Sequence, residues 1–232
     1  MTAPDAVILC GGLGKRLRSA VKDVPKPMAK VAGRPFLDIL LAHLRRQGLR
    51  RAVLCAGYRA GAIKRHYAGD KDVLVSAEPR PLGTAGAVKH AARLIKSGRF
   101  LVLNGDSFCA ADLRRFQAFH RRKKAEASVV LTRPAGRGDV GAVRLGSGGR
   151  IKDFREKAGA APGALVNAGI YLLERGVLAR IPAGKKYSFE YDLFPALRSC
   201  YGFRTAAALL DIGTPERYRA AEKILRKSGQ LP

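Results

Sequence analysis

Short runs of apolar residues recur along the first 135 positions, with amphipathic stretches between them. Ala6-Val7-Ile8-Leu9-Cys10 is followed by comparable runs at 52–56, 73–76, 100–104 and 127–132, all of strand length. Helical spacing predicts helices near 36–47, 60–67, 85–96 and 111–123. The first of these sets Phe36, Leu37, Leu40, Leu41 and Leu44 along one face and stops before Gly48, a residue suited to the left-handed position that ends a helix. Alternating strands and helices predict an α/β fold: a mainly parallel, doubly wound sheet with ligands at the carboxyl ends of its strands.

After about residue 135 the pattern changes. Shorter extended runs at 141–145, 150–156 and 165–173 are separated by the glycine-rich turns Gly146-Ser147-Gly148-Gly149 and Ala158-Gly159-Ala160-Ala161-Pro162-Gly163, as in hairpins. A last helix is predicted over 215–227. With no internal repeat, residues 1–232 read as one domain, in which 136–232 extends the sheet begun by 1–135.

Composition narrows the class. A chain of 232 residues with 47% apolar content can bury a substantial core. No apolar run approaches a membrane span, and no basic stretch precedes an apolar one at the N-terminus, so a cytoplasmic location is expected. Cys10, Cys55, Cys109 and Cys200 lack zinc-site or C-x-x-C spacing and are expected as reduced, buried thiols. His43, His66, His90 and His120 show no ligand spacing and are expected on helix surfaces. Lys and Arg number 44 against 18 Asp and Glu, a net charge of +26 that would suit a nucleic-acid binder. Yet the cations are spread over helix faces, as at Arg45-Arg46 and Arg121-Arg122-Lys123-Lys124, and no aromatic-rich RNA-binding segment accompanies them. They read as solvated faces that also steer anionic substrates, so no specific nucleic-acid partner is expected.

The first strand runs into Gly11-Gly12-Leu13-Gly14-Lys15-Arg16-Leu17, followed by Pro25-Lys26-Pro27. Glycines let backbone N–H groups approach phosphate oxygens, and Arg16 and Lys26 add charge. A dinucleotide loop would need glycine where Leu17 stands, and a Walker A loop would need Ser or Thr where Arg16 stands. What remains, G-G-x-G-x-R-L followed by P-K-P, resembles the signature of sugar-1-phosphate nucleotidyltransferases. Lys15 departs from it, since relatives commonly carry Thr there; it adds a charge beside the triphosphate.

Two aspartates follow strands, in Asn104-Gly105-Asp106-Ser107 and in Asp211-Ile212-Gly213-Thr214-Pro215. Alone, either reads as a turn former or a cap, or as a carboxylate for Mg²⁺. The resemblance makes them the family's metal-binding pair. It also casts Glu78-Pro79-Arg80-Pro81-Leu82-Gly83-Thr84 as the base-reading loop, and Phe154-Arg155-Glu156-Lys157 with Asn167-Ala168-Gly169-Ile170-Tyr171 as the sugar-facing segments. Glu78 stands where uridylyl and thymidylyl members often have Gln; a carboxylate accepts two hydrogen bonds from guanine N1–H and N2–H₂.

The resemblance runs from Val7 to Tyr218 and implies a Rossmann-like nucleotidyltransferase sheet, related to the GT-A type, with a smaller sugar-binding β extension. Leu9, Gly11, Gly12, Gly14, Lys15, Arg16, Lys26, Glu78, Pro81, Gly83 and Thr84 would bind nucleotide. Asn104, Asp106, Gly141, Glu156, Lys157, Asn167 and Gly169 would bind the sugar phosphate. Arg16, Lys26 and Asp106 would be catalytic, and Asp106 and Asp211 would hold Mg²⁺. Together with Pro81–Ala87, Tyr187-Ser188-Phe189-Glu190 points within the family to guanylyltransferases acting on D-glycero-α-D-manno-heptose 1-phosphate, and so to GTP and that sugar phosphate as substrates. A homodimer is compatible with this. Mannose 1-phosphate, or transfer from UTP or dTTP, are alternatives inside the family; a silent nucleotide-sensing subunit or a basic nucleic-acid binder are alternatives outside it. Some relatives append a left-handed β-helix of hexapeptide repeats; this sequence has none, so acetyltransferase activity is not implied.

Overall fold

A computed structural model describes residues 3–17, 19–134, 142–155 and 163–231, the side chains of Lys15 and Arg155 excepted. Strand β1 (Asp5–Cys10) leads through a glycine-rich loop and a two-residue ribbon, β2 (Lys30–Val31) with β3 (Arg34–Pro35), to α1 (Phe36–Arg46). There follow β4 (Ala52–Ala56), α2 (Ala60–His66), β5 (Val73–Ala77), α3 (Gly83–His90), β6 (Arg99–Asn104), β7 (Ser107–Cys109), α4 (Leu113–Lys123) and β8 (Ala127–Thr132). The second half adds β9 (Ala142–Leu145), β10 (Ile151–Arg155), β11 (Leu165–Glu174), β12 (Cys200–Arg204), β13 (Leu209–Asp211) and α5 (Pro215–Lys227).

The main sheet runs β10-β9-β11-β6-β1-β4-β5, with β8 bridging β11 and β12. Strands β6, β1, β4 and β5 are parallel, whereas β11 lies antiparallel to β6, β8 and β9. The second half therefore continues the same sheet by reversing its direction at β11. Along β1, Ala6, Ile8 and Cys10 pack on one side with Phe36, Leu40, Leu44 and Leu54; Val7 packs on the other with Val53, Val88, Phe100 and Val102. Burial on both faces is why these strands are apolar throughout rather than alternating. Among the described residues, no helix is long and apolar enough to cross a membrane.

Three expectations need correction. The helix expected over 85–96 spans Gly83–His90 and tightens into a 3₁₀ turn at Ala92–Leu94. The Asp5 carboxylate captures the N–H groups of Lys96 (2.6 Å) and Ser97 (3.0 Å), ending any helix there and turning Ile95 into the core. The helix expected from 111 starts at Leu113, because Asp112 caps it by accepting from Arg115 N. His43 and His120 are buried rather than on the surface. His120 Nδ1 lies 2.9 Å from Ser128 Oγ and Nε2 lies 3.2 Å from Glu174; His43 pairs with Gln230 and sets its ring against Phe108. Both share a helix face with core residues, Leu113 and Phe116 for His120 and Ile39 and Leu40 for His43, and that spacing was the available signal. The four cysteines are free and buried, as expected.

Candidate active site

The carboxyl ends of β1, β4, β5 and β6 open into a cleft of about 380 Å³. Of the residues expected to bind nucleotide, Leu9, Gly11, Gly12, Lys26, Glu78, Pro81, Gly83 and Thr84 line it, together with Asn104 and Asp106 from the sugar-phosphate group. Leu13, Cys55 and Ala87 also line it without having been singled out. Gly14 stands just outside: its φ is +57°, and a Cβ there would lie 3.2 Å from Lys26 Cβ, so the loop rests on the lysine stem. Arg16 is exposed on the 3₁₀ turn Lys15–Leu17 and does not line the cleft; the Lys15 side chain lies outside the described residues.

At one end of the cleft stands Glu78. Its backbone N–H continues the β4 ladder to Ala56 O, and its Oε2 accepts from Leu82 N at 3.1 Å. The other oxygen presses on bare backbone: a Cβ on Gly11 would lie 2.2 Å from Oε1 and one on Gly57 2.5 Å. Gly57 escaped the sequence reading, although it follows β4 as Gly11 follows β1. Burial pushes the Glu78 pKa above the usual carboxylate value, against the opposing Leu82 N–H bond and the His90 charge. Thr84 does not offer its hydroxyl oxygen freely, since that oxygen accepts from Phe189 N at 3.0 Å.

At the other end stand Lys26 and Asp106; Asp211 does not line the cleft but is tied to Asp106 through the backbone. The short ribbon β7–β13 sets Asp211 opposite Ser107, and Ile212 N donates to Asp106 O, so the two aspartates are brought together from 105 residues apart in sequence. Lys26 Nζ lies 2.5 Å from Asp106 Oδ2, with the lysine side chain only 12% exposed. A Cβ on Gly213 would sit 2.6 Å from Asp211 Oδ1 and 3.5 Å from Lys26 Nζ. The ammonium thus pairs with Asp106 and stands near Gly213, whose N–H holds Asp211. Asp211 is itself held by Arg217 Nη1, at 3.2 and 2.9 Å to its two oxygens, and by Gly213 N. Among the described residues no three acidic, His or Cys side chains converge. Asp106 and Asp211, brought together by the ribbon, nevertheless offer hard carboxylate oxygens that suit a divalent ion keeping water and substrate oxygens as its other ligands.

The segment expected to face the sugar lies on β11. Gly141, Glu156 and Lys157 lie outside the described residues. Asn167 and Gly169 form a bulge against Asn104, and Asn167 Nδ2 reaches the Tyr171 hydroxyl and Glu190 Oε1. Glu190 had entered only as part of a subgroup hint, with no role of its own. It comes from a single π-helical turn, Phe189–Leu193, and such turns recur at functional sites.

Against known proteins, the family model described as nucleotidyl transferase matches residues 5–228. The chain is 35% identical to the mannose-1-phosphate guanylyltransferase of Mycobacterium tuberculosis, over 98% of its own length and 66% of that protein's. It is 34% identical to the D-glycero-α-D-manno-heptose 1-phosphate guanylyltransferase of Aneurinibacillus thermoaerophilus, over 96% of this chain and 98% of that one. The crystal structure of HddC from Yersinia pseudotuberculosis, complexed with GMP-PN, superposes with a TM-score of 0.85 at 32% identity, covering 96% of this chain and all of the other.

Proposed function

Because this chain belongs to the nucleotidyl transferase family, we propose that it transfers GMP from GTP to a sugar 1-phosphate, releasing pyrophosphate, with D-glycero-α-D-manno-heptose 1-phosphate as the sugar substrate. One observation carries the reading: a single cleft holds a carboxylate suited to guanine, Glu78, and a lysine paired with an aspartate, Lys26 with Asp106. Similarity to a heptose-1-phosphate guanylyltransferase over nearly both full lengths supports the choice of sugar.

The chemistry needs no protein nucleophile. A sugar 1-phosphate is already anionic at neutral pH, so its oxygen attacks the α-phosphorus of GTP. The bond from that phosphorus to the β,γ-pyrophosphate breaks, and the electron pair leaves with pyrophosphate. Catalysis is then alignment and neutralisation of charge. Glu78 accepts from guanine N1–H and N2–H₂, and the glycine loop carries phosphate against its backbone. Lys26 leaves Asp106 to meet the α-phosphoryl oxygens, Lys157 holds the sugar phosphate, and Arg16 meets the outer phosphates. Asp106 and Asp211 would hold a divalent ion, Mg²⁺ by the hardness of its donors, which supplies positive charge to phosphate oxygens.

Mannose 1-phosphate is the second reading, favoured by the similarity to a mannose-1-phosphate guanylyltransferase. Pyrophosphate release over four NTPs and several sugar 1-phosphates tests both: GTP with the manno-heptose phosphate should give the highest kcat/KM. Preference for UTP or dTTP would defeat the guanylyl reading, and preference for mannose 1-phosphate would replace the heptose.

A further inference from the structure

Strand β11 does not pass Asn104 smoothly. Its pairing with β8 slips between Asn167 and Tyr171, and Gly169 takes φ +70° within the slip. A Cβ on Gly169 would lie 2.5 Å from the Asn104 amide nitrogen, so glycine is required where the bulge meets a residue lining the cleft. The bulge also turns Asn167 Oδ1 onto the Gly169 N–H at 2.8 Å. The oxygen of the Asn167 amide is therefore held at Gly169, the residue that meets the cleft-lining Asn104.

The amide nitrogen faces the other way, and both of its protons are committed. One goes to the Tyr171 hydroxyl at 2.9 Å and the other to Glu190 Oε1 at 3.3 Å. Tyr171 passes its own proton to the same Glu190 oxygen at 2.6 Å, and Ser188 Oγ donates to Glu190 Oε2 at 3.0 Å. Tyr171 is buried against Phe189 and Phe194; burial first, and then the Glu190 charge, push its phenol far above the ordinary value, so it remains a donor. The Ser188 oxygen accepts from Glu190 N and Tyr191 N. The side chains of Asn167, Tyr171 and Ser188 thus each donate to Glu190.

We propose that Glu190 is a positioning residue for the sugar: by taking the protons of Asn167 and Tyr171 it locks the Asn167 amide with its oxygen toward the cleft. Asn167 then accepts hydrogen bonds from sugar hydroxyls and donates none. The inference rests on the reading of this chain as a sugar-1-phosphate nucleotidyltransferase, and it assigns how one sugar contact is oriented. An amide free to flip presents a donor as readily as an acceptor; an amide clamped by a carboxylate cannot.

A reciprocal exchange tests it. In Glu190→Gln the new NH₂ faces either the Asn167 NH₂ or a Ser188 oxygen that already accepts two N–H groups, so the clamp fails. In the double variant Asn167→Asp with Glu190→Gln, the amide now at position 190 donates to the carboxylate now at position 167. The Tyr171 hydroxyl donates to that carboxylate as well, and position 167 again presents only acceptors. The parent is first assayed on a panel of sugar 1-phosphates, and the variants are then measured on whichever one it uses. Glu190→Gln should raise KM for the sugar 1-phosphate about 10-fold or more, with KM for GTP within about twofold, and the double variant should return the sugar KM to within about threefold of the parent. An unchanged sugar KM in Glu190→Gln would overturn the proposal. So would equal rises in both KM values, or a double variant that recovers neither sugar binding nor, where the single variant fails to fold, the fold. A parent that uses an unexpected sugar phosphate overturns the heptose assignment but leaves this comparison intact; a parent that uses none defeats the functional reading itself.

Discussion

Glu78 and Glu190 are both proposed to serve the site with a carboxylate, and they are placed by opposite means. Glu78 leaves the end of β5 one residue after the strand, and what surrounds it is mostly backbone: Leu82 N–H on one oxygen, Gly11 and Gly57 against the other. Glu190 arrives from a π turn far along the chain and is held by the side chains of Asn167, Tyr171 and Ser188. The proposed nucleotide end is thus built by parallel strands and their glycine turns. The sugar end depends on three segments meeting. A site built this way can keep its phosphate chemistry while changing which sugar it accepts, because the two ends share few residues beyond Asn104 and Asp106.

The sharpest break of that comparison comes at the phosphate end. Lys26→Met should lower turnover by about 10²-fold or more, because it removes one preorganised charge aimed at the reacting phosphate. Circular dichroism should be unchanged, since the stem of Met fills the same space. Near-parental turnover would remove Lys26 from the chemistry. Asp106→Asn should come next: EDTA should stop the parent enzyme and Mg²⁺ restore it, while the variant needs a higher Mg²⁺ concentration for half-maximal rate, an amide lacking the charge that holds a hard cation. Identical Mg²⁺ titrations for parent and variant would place the ion elsewhere.

Smaller effects sharpen the contrast between the ends. In Glu78→Gln the amide can keep its oxygen on Leu82 N–H only by turning a donor toward the donors of guanine. That should lower the GTP-to-UTP ratio of kcat/KM by roughly 1 to 3 kcal/mol, about 5- to 150-fold, while the sugar KM stays put. An unchanged ratio would take Glu78 out of the base site. Gly57→Ala puts a Cβ 2.5 Å from Glu78 Oε1 and 2.9 Å from Gly11 O. The second clash is with backbone and cannot swing aside, so Tm should fall by the equivalent of about 1–3 kcal/mol and KM for GTP should rise. A melt indistinguishable from the parent's would show that the loop yields more readily than its contacts imply.

The smallest effect concerns pH. Burial depresses the pKa of both His43 and His120 below the ordinary 6.5, against the pull of Gln230 and Glu174 respectively. The unfolded chain then binds protons that the fold refuses, so their contribution to stability is intact above about 6.5 and is lost as pH falls from there through the lower folded value. Tm should decline over that window, and less steeply in His120→Asn, whose amide has no proton to gain; parallel profiles would assign the decline to other groups.

Much of the nucleotide end was legible in sequence because its determinants are local. Val7 to Gly14 gives strand and turn within eight residues, and Asp106 follows its strand by two. Helix starts were read less well, because Asp112 and Asp5 act as a cap and a helix stop through side-chain bonds that periodicity does not encode. Gly57 was missed because its reason is a neighbour 21 positions later, Glu78. The Arg217 clamp on Asp211 and the network around Glu190 were invisible for the same reason: a hydrogen bond between distant segments leaves no period in a sequence.

The site is proposed to work by holding charge and never by forming a bond to the substrate. That is tested most directly with a single diastereomer of GTP bearing sulfur at the α-phosphorus, the GDP-sugar product's configuration being read by phosphorus NMR. One in-line displacement by the sugar phosphate predicts inversion at that phosphorus. Retention would require two displacements through a guanylylated protein group, and would contradict the account.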